Sequence, residues 1–354
     1  MMHRVVQWGT GNVGRLALRA IIEHPHLELA GVIVHSADKI GRDAAELCAL
    51  DTPTGVVATD DVDGLLAENP DVVSYMATGD LRPVEAVRDL CRVLSAGVNV
   101  VNTAVVPLVY PPAADARQVR MLEEACAEGG SSCFTSGIDP GFANDLLPLT
   151  LTGMCARVES VRIQENLNYD TYDQAEVLFG MFGFGKPLDE TPLILSPGVL
   201  RITWGPTVQM IANALDVQLD DIAEVHERRP ATETFDIPTG TIEAGTTGAL
   251  RFEVQGIVNG RPAIVLEHVT RLRDDLAPEW PAPPEGGGYR IEIVGDPCWT
   301  MELGMRGADG DHNTGGLLAT AMRLLNAIPA VCAAPPGLLT PTDLPLITGR
   351  GLLS

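Results

Sequence analysis

Basic residues are scarce in this chain. Lysine and arginine number 24 against 47 aspartates and glutamates, a formal net charge of −23. Nucleic acid and anionic membrane surfaces attract basic patches, so both are excluded as partners, while one basic pocket for a phosphate remains compatible with the total. Cys-x-x-Cys pairs are missing as well. The seven cysteines, Cys48, Cys91, Cys126, Cys133, Cys155, Cys298 and Cys332, are scattered, and an odd count cannot close completely into intrachain disulfides. Most fall in apolar runs and read as reduced, buried core thiols. No His/Cys/Asp cluster has metal-ligand spacing, so no metal is expected. There is no Gly-x-Ser-x-Gly elbow, which removes a serine hydrolase. No charged-then-apolar leader opens the chain, and no apolar run reaches the roughly 18 residues of a membrane span, so a soluble, cytoplasmic protein is expected. Repeats and low-complexity tracts are also absent.

What is present is enough hydrophobic sequence, 45% of 354 residues, for two domains with full cores. The most informative stretch comes first. Arg4–Trp8 is a β-branched run, Gly9-Thr10-Gly11-Asn12-Val13-Gly14 follows, and a helical pattern begins at Arg15. In this strand-to-helix context a Gly-x-Gly-x-x-Gly turn binds dinucleotides. Gly9 permits the tight turn, Gly11 lets backbone approach a pyrophosphate, and Gly14 lets helix pack on strand. The helix N-terminus then presents free N–H groups to the anion.

Up to about Gly137, short apolar runs (Val5–Trp8, Leu29–His35, Val72–Ala77, Val98–Asn102, Cys133–Ser136) alternate with helical stretches near Asn12–Glu23, Asp43–Leu50, Val62–Glu68, Pro83–Ala96 and Ala113–Gly129. That alternation predicts a doubly wound parallel sheet flanked by helices, a Rossmann fold of α/β class. Ligands of such folds gather at the carboxyl ends of the strands. An NAD enzyme usually places an acid about 20 residues past the glycines to hold the ribose 2′-OH. Here that place holds His35, Ser36, Asp38, Lys39 and Arg42, so a 2′-phosphate fits better and NADP(H) is favoured over NAD(H), with Asp38 leaving NAD(H) open. Ala77, Thr78 and Gly79 are assigned to the cofactor's second ribose, and Asn102, Thr103 and Ala104 to its nicotinamide half.

Beyond the turn-rich Gly137–Phe142 the texture changes. A helical segment Ala143–Met154 precedes a long alternating strand, Val158–Tyr169. From Tyr172 to Asp221 helix-like pieces mix with Gly/Pro breaks, including Phe182–Pro187, which suits either a pocket wall or a packed connection. Two hairpins follow: Leu250–Val258 with Ala263–Leu272 across Asn259-Gly260, and Tyr289–Val294 with Trp299–Met305 across a looser turn. Together they predict an α+β second domain with an open, mainly antiparallel sheet, one face free for the cofactor or a second subunit. A helix near Thr314–Ala327 and a Pro/Gly-rich tail return to the first domain. The expected boundaries are 1–142, 143–308 and 309–354.

The glycine loop, Gly137-Ile138-Asp139-Pro140-Gly141-Phe142, and Ala319-Thr320-Ala321-Met322 leading to Asn326-Ala327-Ile328-Pro329 together resemble the dihydrodipicolinate-reductase-like dehydrogenases. Within them the chain is most similar to the branch holding 2,4-diaminopentanoate dehydrogenase and the native amine dehydrogenases. The resemblance implies a nucleotide-binding domain, an open-sheet second domain, a homodimer, and NAD(P)H reduction of an imine formed from a ketone or aldehyde and ammonia. It also implies a glutamate just after the fifth strand, a few residues before a Tyr-Pro pair, to hold and deprotonate ammonium. Here Ala104–Pro111 contains no acid. A positioned base contributes ~10²–10⁴ in rate, so its replacement must be sought. Glu165 shares an alternation face with Ile163, Leu167 and Tyr169 and is the first candidate, the alternative being an acid facing water at a dimer rim. Tyr169 and Tyr172 fall where the family's pocket aromatics lie. His312, before the last helix, is a candidate acid titrating near neutrality, or else a loop residue or cap. Three functions remain: an amine dehydrogenase; a carbonyl or cyclic-imine reductase indifferent to ammonia, with a dry Val105–Val109 wall; and a non-catalytic NADP(H) sensor.

Overall fold

The computed structural model describes residues 2–79, 82–282 and 287–353. The chain divides into two compact units, Met1–Phe142 with Leu317–Ser354, and Ala143–Gly316.

In the first unit the apolar runs become β1 (His3–Trp8), β2 (Leu27–Ile33), β3 (Ala58–Thr59), β4 (Val72–Tyr75), β5 (Asn99–Asn102) and β6 (Ser132–Thr135). Between them lie α1 (Asn12–Glu23), α2 (Ala44–Leu47), α3 (Val62–Ala67), α4 (Pro83–Ser95) and α5 (Ala116–Gly129). The paired strands run parallel, and both faces are apolar because helices cover both. Two helices are shorter than their patterns predict. The Asp43 carboxylate caps α2 by accepting from the Ala45 amide, and Ala49, at φ 56°, turns the chain away. The stretch Val106–Ala113 winds into two 3₁₀ turns, so α5 starts only at Ala116, capped by Asp115.

The second unit opens with α6 (Leu146–Thr152) and β7 (Arg157–Asn168). A π-type turn at Glu176–Met181 and α7 (Val199–Ala214) resolve the mixed segment. The strand β8 (Asp221–Pro230) and the small hairpin β9 (Phe235–Ile237) and β10 (Gly240–Ile242) have no counterpart in the sequence expectations. Their residues mix charges with short apolar stretches and show no clean alternation. The two expected hairpins form from β11 (Thr247–Val258), β12 (Arg261–Arg271), β13 (Gly287–Asp296) and β14 (Trp299–Gly304). Asn259 and Gly260 both take positive φ, the type I′ geometry that suits the twist of the strands they join. The sheet order is β14-β13-β7-β12-β11-β8, antiparallel except where β12 runs beside β7. One face packs α7, through Leu200, Trp204, Val208 and Ile211, into the main core. The other face bears charges: Arg162 and Arg251 converge on the fully buried carboxylate of Glu267, with Glu253 and Glu227 alongside.

The chain then re-enters the first unit through α8 (His312–Leu325), α9 (Ile328–Ala333) and β15 (Gly337–Leu339). The expected single helix and irregular tail are corrected here. Pro329 sits in the first turn of α9, where it needs no N–H, and β15 joins β6 in parallel to complete a seven-stranded sheet. The span His312–Ala333, of 22 residues and mean hydropathy 1.5, is long and apolar enough to cross a membrane by length and composition, against the expectation that no run would be. Its Ala321, Leu324, Leu325, Ile328 and Val331 are buried in the core against Val5, Val101 and Phe134. All seven cysteines are free; Cys48, Cys126 and Cys133 are buried, and burial pushes the Cys126 thiol up to about 12.

Candidate active site

The glycine turn closes as the sequence requires. Gly9 has φ +92°, and a Cβ there would stand 2.8 Å from the Ala77 amide nitrogen, so only glycine lets β1 end this close to the loop after β4. A Cβ on Gly14 would strike the Gly9 carbonyl. At Gly11, by contrast, a Cβ would meet nothing within 4 Å, the open space that an approaching ligand needs. Gly11 caps α1 without a side-chain hydrogen bond, and the first turn, which includes Asn12 and Val13, has no acid. That leaves the helix dipole and its N–H groups for an anion. These residues therefore fit a dinucleotide pyrophosphate. Gln7, fully buried, donates to the Gly9 carbonyl at 2.9 Å and steadies the turn. Motif reading passes over it because it lies inside the strand.

Around the ribose position, the Lys39 ammonium donates to the Thr10 carbonyl and hydroxyl at 3.2 and 3.1 Å, which brings a cation over the turn. His35 accepts from the Trp8 indole at 3.1 Å and is exposed, as is Ser36. Arg42 does not join them; its guanidinium is paired with Glu46 at 3.2 Å on the surface. After β4, Ala77 and Thr78 lead to Gly79, whose missing side chain lets the Ala104 carbonyl of the next loop pack against it.

Asn102 has a different place from the one expected. Its amide donates to Thr135 at 2.8 Å and to the Cys133 sulfur, and its oxygen accepts from the Ala104 and Val105 amides. Fully buried and with all its polar atoms committed, it shapes the Thr103–Val105 loop and has nothing left to offer a cofactor. Beyond it, where the family resemblance implies a glutamate, Val105 and Leu108 are packed in the core. An acid on that segment would have to displace this packing.

The second unit contains a buried carboxylate. Glu165 lies mid-strand in β7, and the alternation expected from sequence turns it inward, where it is 6% exposed rather than at a wet rim. Register sets its neighbours, since His268 of β12 and Tyr289 of β13 stand directly opposite it on the two flanking strands. The Tyr289 hydroxyl donates to Oε2 at 2.9 Å, the Tyr169 hydroxyl donates to Oε1 at 3.2 Å, and His268 Nδ1 lies 3.3 Å from Oε1. Bringing a lone carboxylate out of water costs several kcal/mol, and hydrogen bonds to a charge return ~1.5–3 kcal/mol each, so three partners suffice to keep it ionised. Burial pushes the Glu165 pKa up, but the charge and hydrogen bond of His268, with those of Tyr289 and Tyr169, outweigh it and hold the group below the usual carboxylate range. His268 is itself fixed between Phe252, stacked at 4.6 Å, and the edge of Trp204.

Aromatic rings surround this cluster. Tyr169 stacks on Tyr172 at 4.8 Å and meets Phe182 edge-on at 5.8 Å. Phe184 is fully buried, so Phe182–Pro187 is a packed connection, one of the two alternatives its composition allows. His312 departs from its expected role. Its Nε2 is 2.5 Å from the Asn168 carbonyl and therefore carries the proton it donates there, while Nδ1 faces Asp311 at 3.8 Å. With Asn313 bonded to the same carbonyl, it pins the end of β7 to the start of α8 and is not a free acid. Sequence reasoning missed His268 and Tyr289; their alternation faces were readable, but the pairing of three distant strands was not.

A family profile described as the 2,4-diaminopentanoate dehydrogenase C-terminal domain matches residues 142–350. An amine dehydrogenase of Streptomyces virginiae is 45% identical over 357 aligned residues, covering 99% of both chains. The chain belongs to the family of the amine and 2,4-diaminopentanoate dehydrogenases. The 2,4-diaminopentanoate dehydrogenase of Acetoanaerobium sticklandii is 24% identical over 97% of this chain and 93% of its own. Among solved structures, an amine dehydrogenase from Mycobacterium smegmatis shares the fold at a TM-score of 0.80 and 20% identity, covering 98% of this chain and 97% of that one. For this family member, Glu165 provides a buried anion in the unit that the family profile covers.

Proposed function

We propose that this dehydrogenase reductively aminates a small ketone or aldehyde with ammonia, and deaminates the amine in reverse, using Glu165 to hold the nitrogen cation. The observation that supports this most is the buried Glu165 carboxylate set among aromatic rings, a site with room in its chemistry for a nitrogen cation and none for an anion. Glu165 then serves as the acceptor when the bound nitrogen gives up a proton, taking the part of the glutamate missing from Ala104–Pro111. Tyr289 and His268 hold its oxygens in place, and the stacked Tyr169 and Tyr172 exclude water beside it.

A nicotinamide cofactor supplies hydride to the carbon–nitrogen double bond when bound. The residues proposed to hold it are the Gly9–Gly14 turn, Lys39 with His35 and Ser36 at the 2′ position, and the backbone of Ala77–Gly79 and Thr103–Ala104. The Lys39 cation beside Thr10 supports NADP(H) over NAD(H). A homodimer in the cytoplasm is the proposed working form, on the strength of the family resemblance. The apolar packing of Val105 and Leu108 favours a second reading, direct reduction of a carbonyl or preformed cyclic imine.

The deciding experiment follows NADPH oxidation across small ketones and aldehydes, with and without concentrated ammonium at alkaline pH. Turnover that depends on ammonia is the expected result. Turnover indifferent to ammonia would replace the proposal with the second reading, and tight NADPH binding without turnover would leave a sensor.

A further inference from the structure

We infer that the first unit holds a second anion site, for a small oxyanion such as phosphate or a carboxylate, where residues 348–350 pass the N-terminal ends of β1 and β2. A cavity of about 170 Å³ lies there, and its polar lining comes from His3, His24, His26, Asn326, Thr348 and Arg350. In a chain of net charge −23, this lining holds three imidazoles and a guanidinium and no carboxylate. Among the described residues the Arg350 guanidinium has no hydrogen bond or ion pair. A cationic group left unpaired in a concave site is an anion's natural partner.

His24 adds a directed donor. Its Nδ1 accepts the His26 amide at 3.1 Å, which places the proton of the neutral ring on Nε2. That Nε2 is buried beside the Asn326 side chain, which attracts its proton without completing a well-aligned hydrogen bond. Burial lowers the His24 pKa, helped by the neighbouring His26 and opposed by Asn326, and so favours the neutral ring. An oxyanion in the cavity would give this donor a well-aligned acceptor. The tail is held close enough to serve as the fourth wall, since a Cβ on Gly351 would stand 2.7 Å from His26 Nε2. The site is separate from the glycine turn. His3 begins β1 and Gly9 follows its end, so the length of the strand, ~20 Å at about 3.3 Å per residue, lies between them. An occupant would tie residues 348–350 to the sheet without touching the cofactor residues.

The test is calorimetric titration of the full chain with inorganic phosphate at constant ionic strength, the glycine turn first saturated with NADPH so that it cannot take up phosphate. A separate arm uses acetate. Saturable phosphate binding is expected, weakened about tenfold by Arg350→Gln and by His24→Leu, with NADPH affinity unchanged in both. Should His24→Leu fail to fold, Arg350→Gln in the exposed tail still decides. Tryptic cleavage after Arg350 should also slow with phosphate. Acetate binding as tightly as phosphate would assign a carboxylate, and phosphate alone a tetrahedral oxyanion. The site is refuted by the absence of saturable binding, or by phosphate affinity indifferent to Arg350→Gln.

Discussion

The first unit offers a ligand its backbone, and the second offers side chains. At the Gly9–Gly14 turn the proposed recognising groups are main-chain N–H groups exposed by missing Cβ atoms, with the Lys39 ammonium brought to Thr10. Around Glu165 the proposed recognising group is a side chain only 6% exposed, held below the usual carboxylate range by three other side chains from the same unit. Backbone recognition suits a cofactor common to many enzymes, because it depends on shape that several sequences can supply. A buried ion is specific, since it is favourable only when its partners are in place. The difference teaches where changes in this chain will alter binding and where they will alter chemistry.

The largest separation is expected from Glu165→Gln, which keeps the shape, removes the charge and turns one accepting oxygen into a donating amide. Its kcat for reductive amination should fall by ~10²–10⁴ while the cofactor dissociation constant stays unchanged; a fall in cofactor affinity alone would break the contrast. Gly9→Ala should do the reverse. The positive φ costs ~1–3 kcal/mol in a residue with a Cβ, and the clash with Ala77 adds to it, so cofactor affinity should weaken at least about tenfold, with kcat at saturation largely kept. Fluorescence titration with NADPH reads both. Tyr289→Phe sharpens the second half. It deletes a hydrogen bond to the charged carboxylate, so the Glu165 pKa should rise. With the ionised form as the proposed active one, the acid limb of kcat/KM should move to higher pH. The smallest effect is expected from Lys39→Ala, a drop of about five- to tenfold in the NADPH-over-NADH ratio of kcat/KM, without change in the preferred amine.

The glycine turn was legible because its cause is local: strand, turn and helix follow one another within a dozen residues, and each glycine has a steric reason. The apolar alternation face that Glu165 shares with Ile163 and Leu167 was legible for the same reason, whereas its burial at 6% exposure, against a wet rim, came only from the packed sheet. Its partners were not legible. His268 and Tyr289 meet it only through the pairing β13-β7-β12, a long-range register that no local pattern encodes. Asn102 illustrates the opposite error. It stands where a cofactor ligand belongs, yet the Thr135 hydroxyl and the Val105 amide claim its side chain. His312 likewise has the chemistry of an acid and the position of a clamp, and only the Asn168 carbonyl reveals which. β8 and β15 went unrecognised because edge strands bury little and so carry little hydrophobic signal.

The late edge strand has a consequence for how the molecule is made. Ser132, in β6, bonds the carbonyl of Pro335, 203 residues further along, just before β15. While the chain is being synthesised, β6 emerges early and waits, its outer N–H and C=O groups unmatched, until the whole of Ala143–Gly316 has left the ribosome. The inserted unit can close around its own sheet during that interval, whereas the nucleotide-binding sheet cannot be sealed until translation has nearly ended. Vulnerability to aggregation should therefore peak in nascent chains that end between β6 and β15, and a stall in that window should expose the β6 edge that the finished sheet covers with β15.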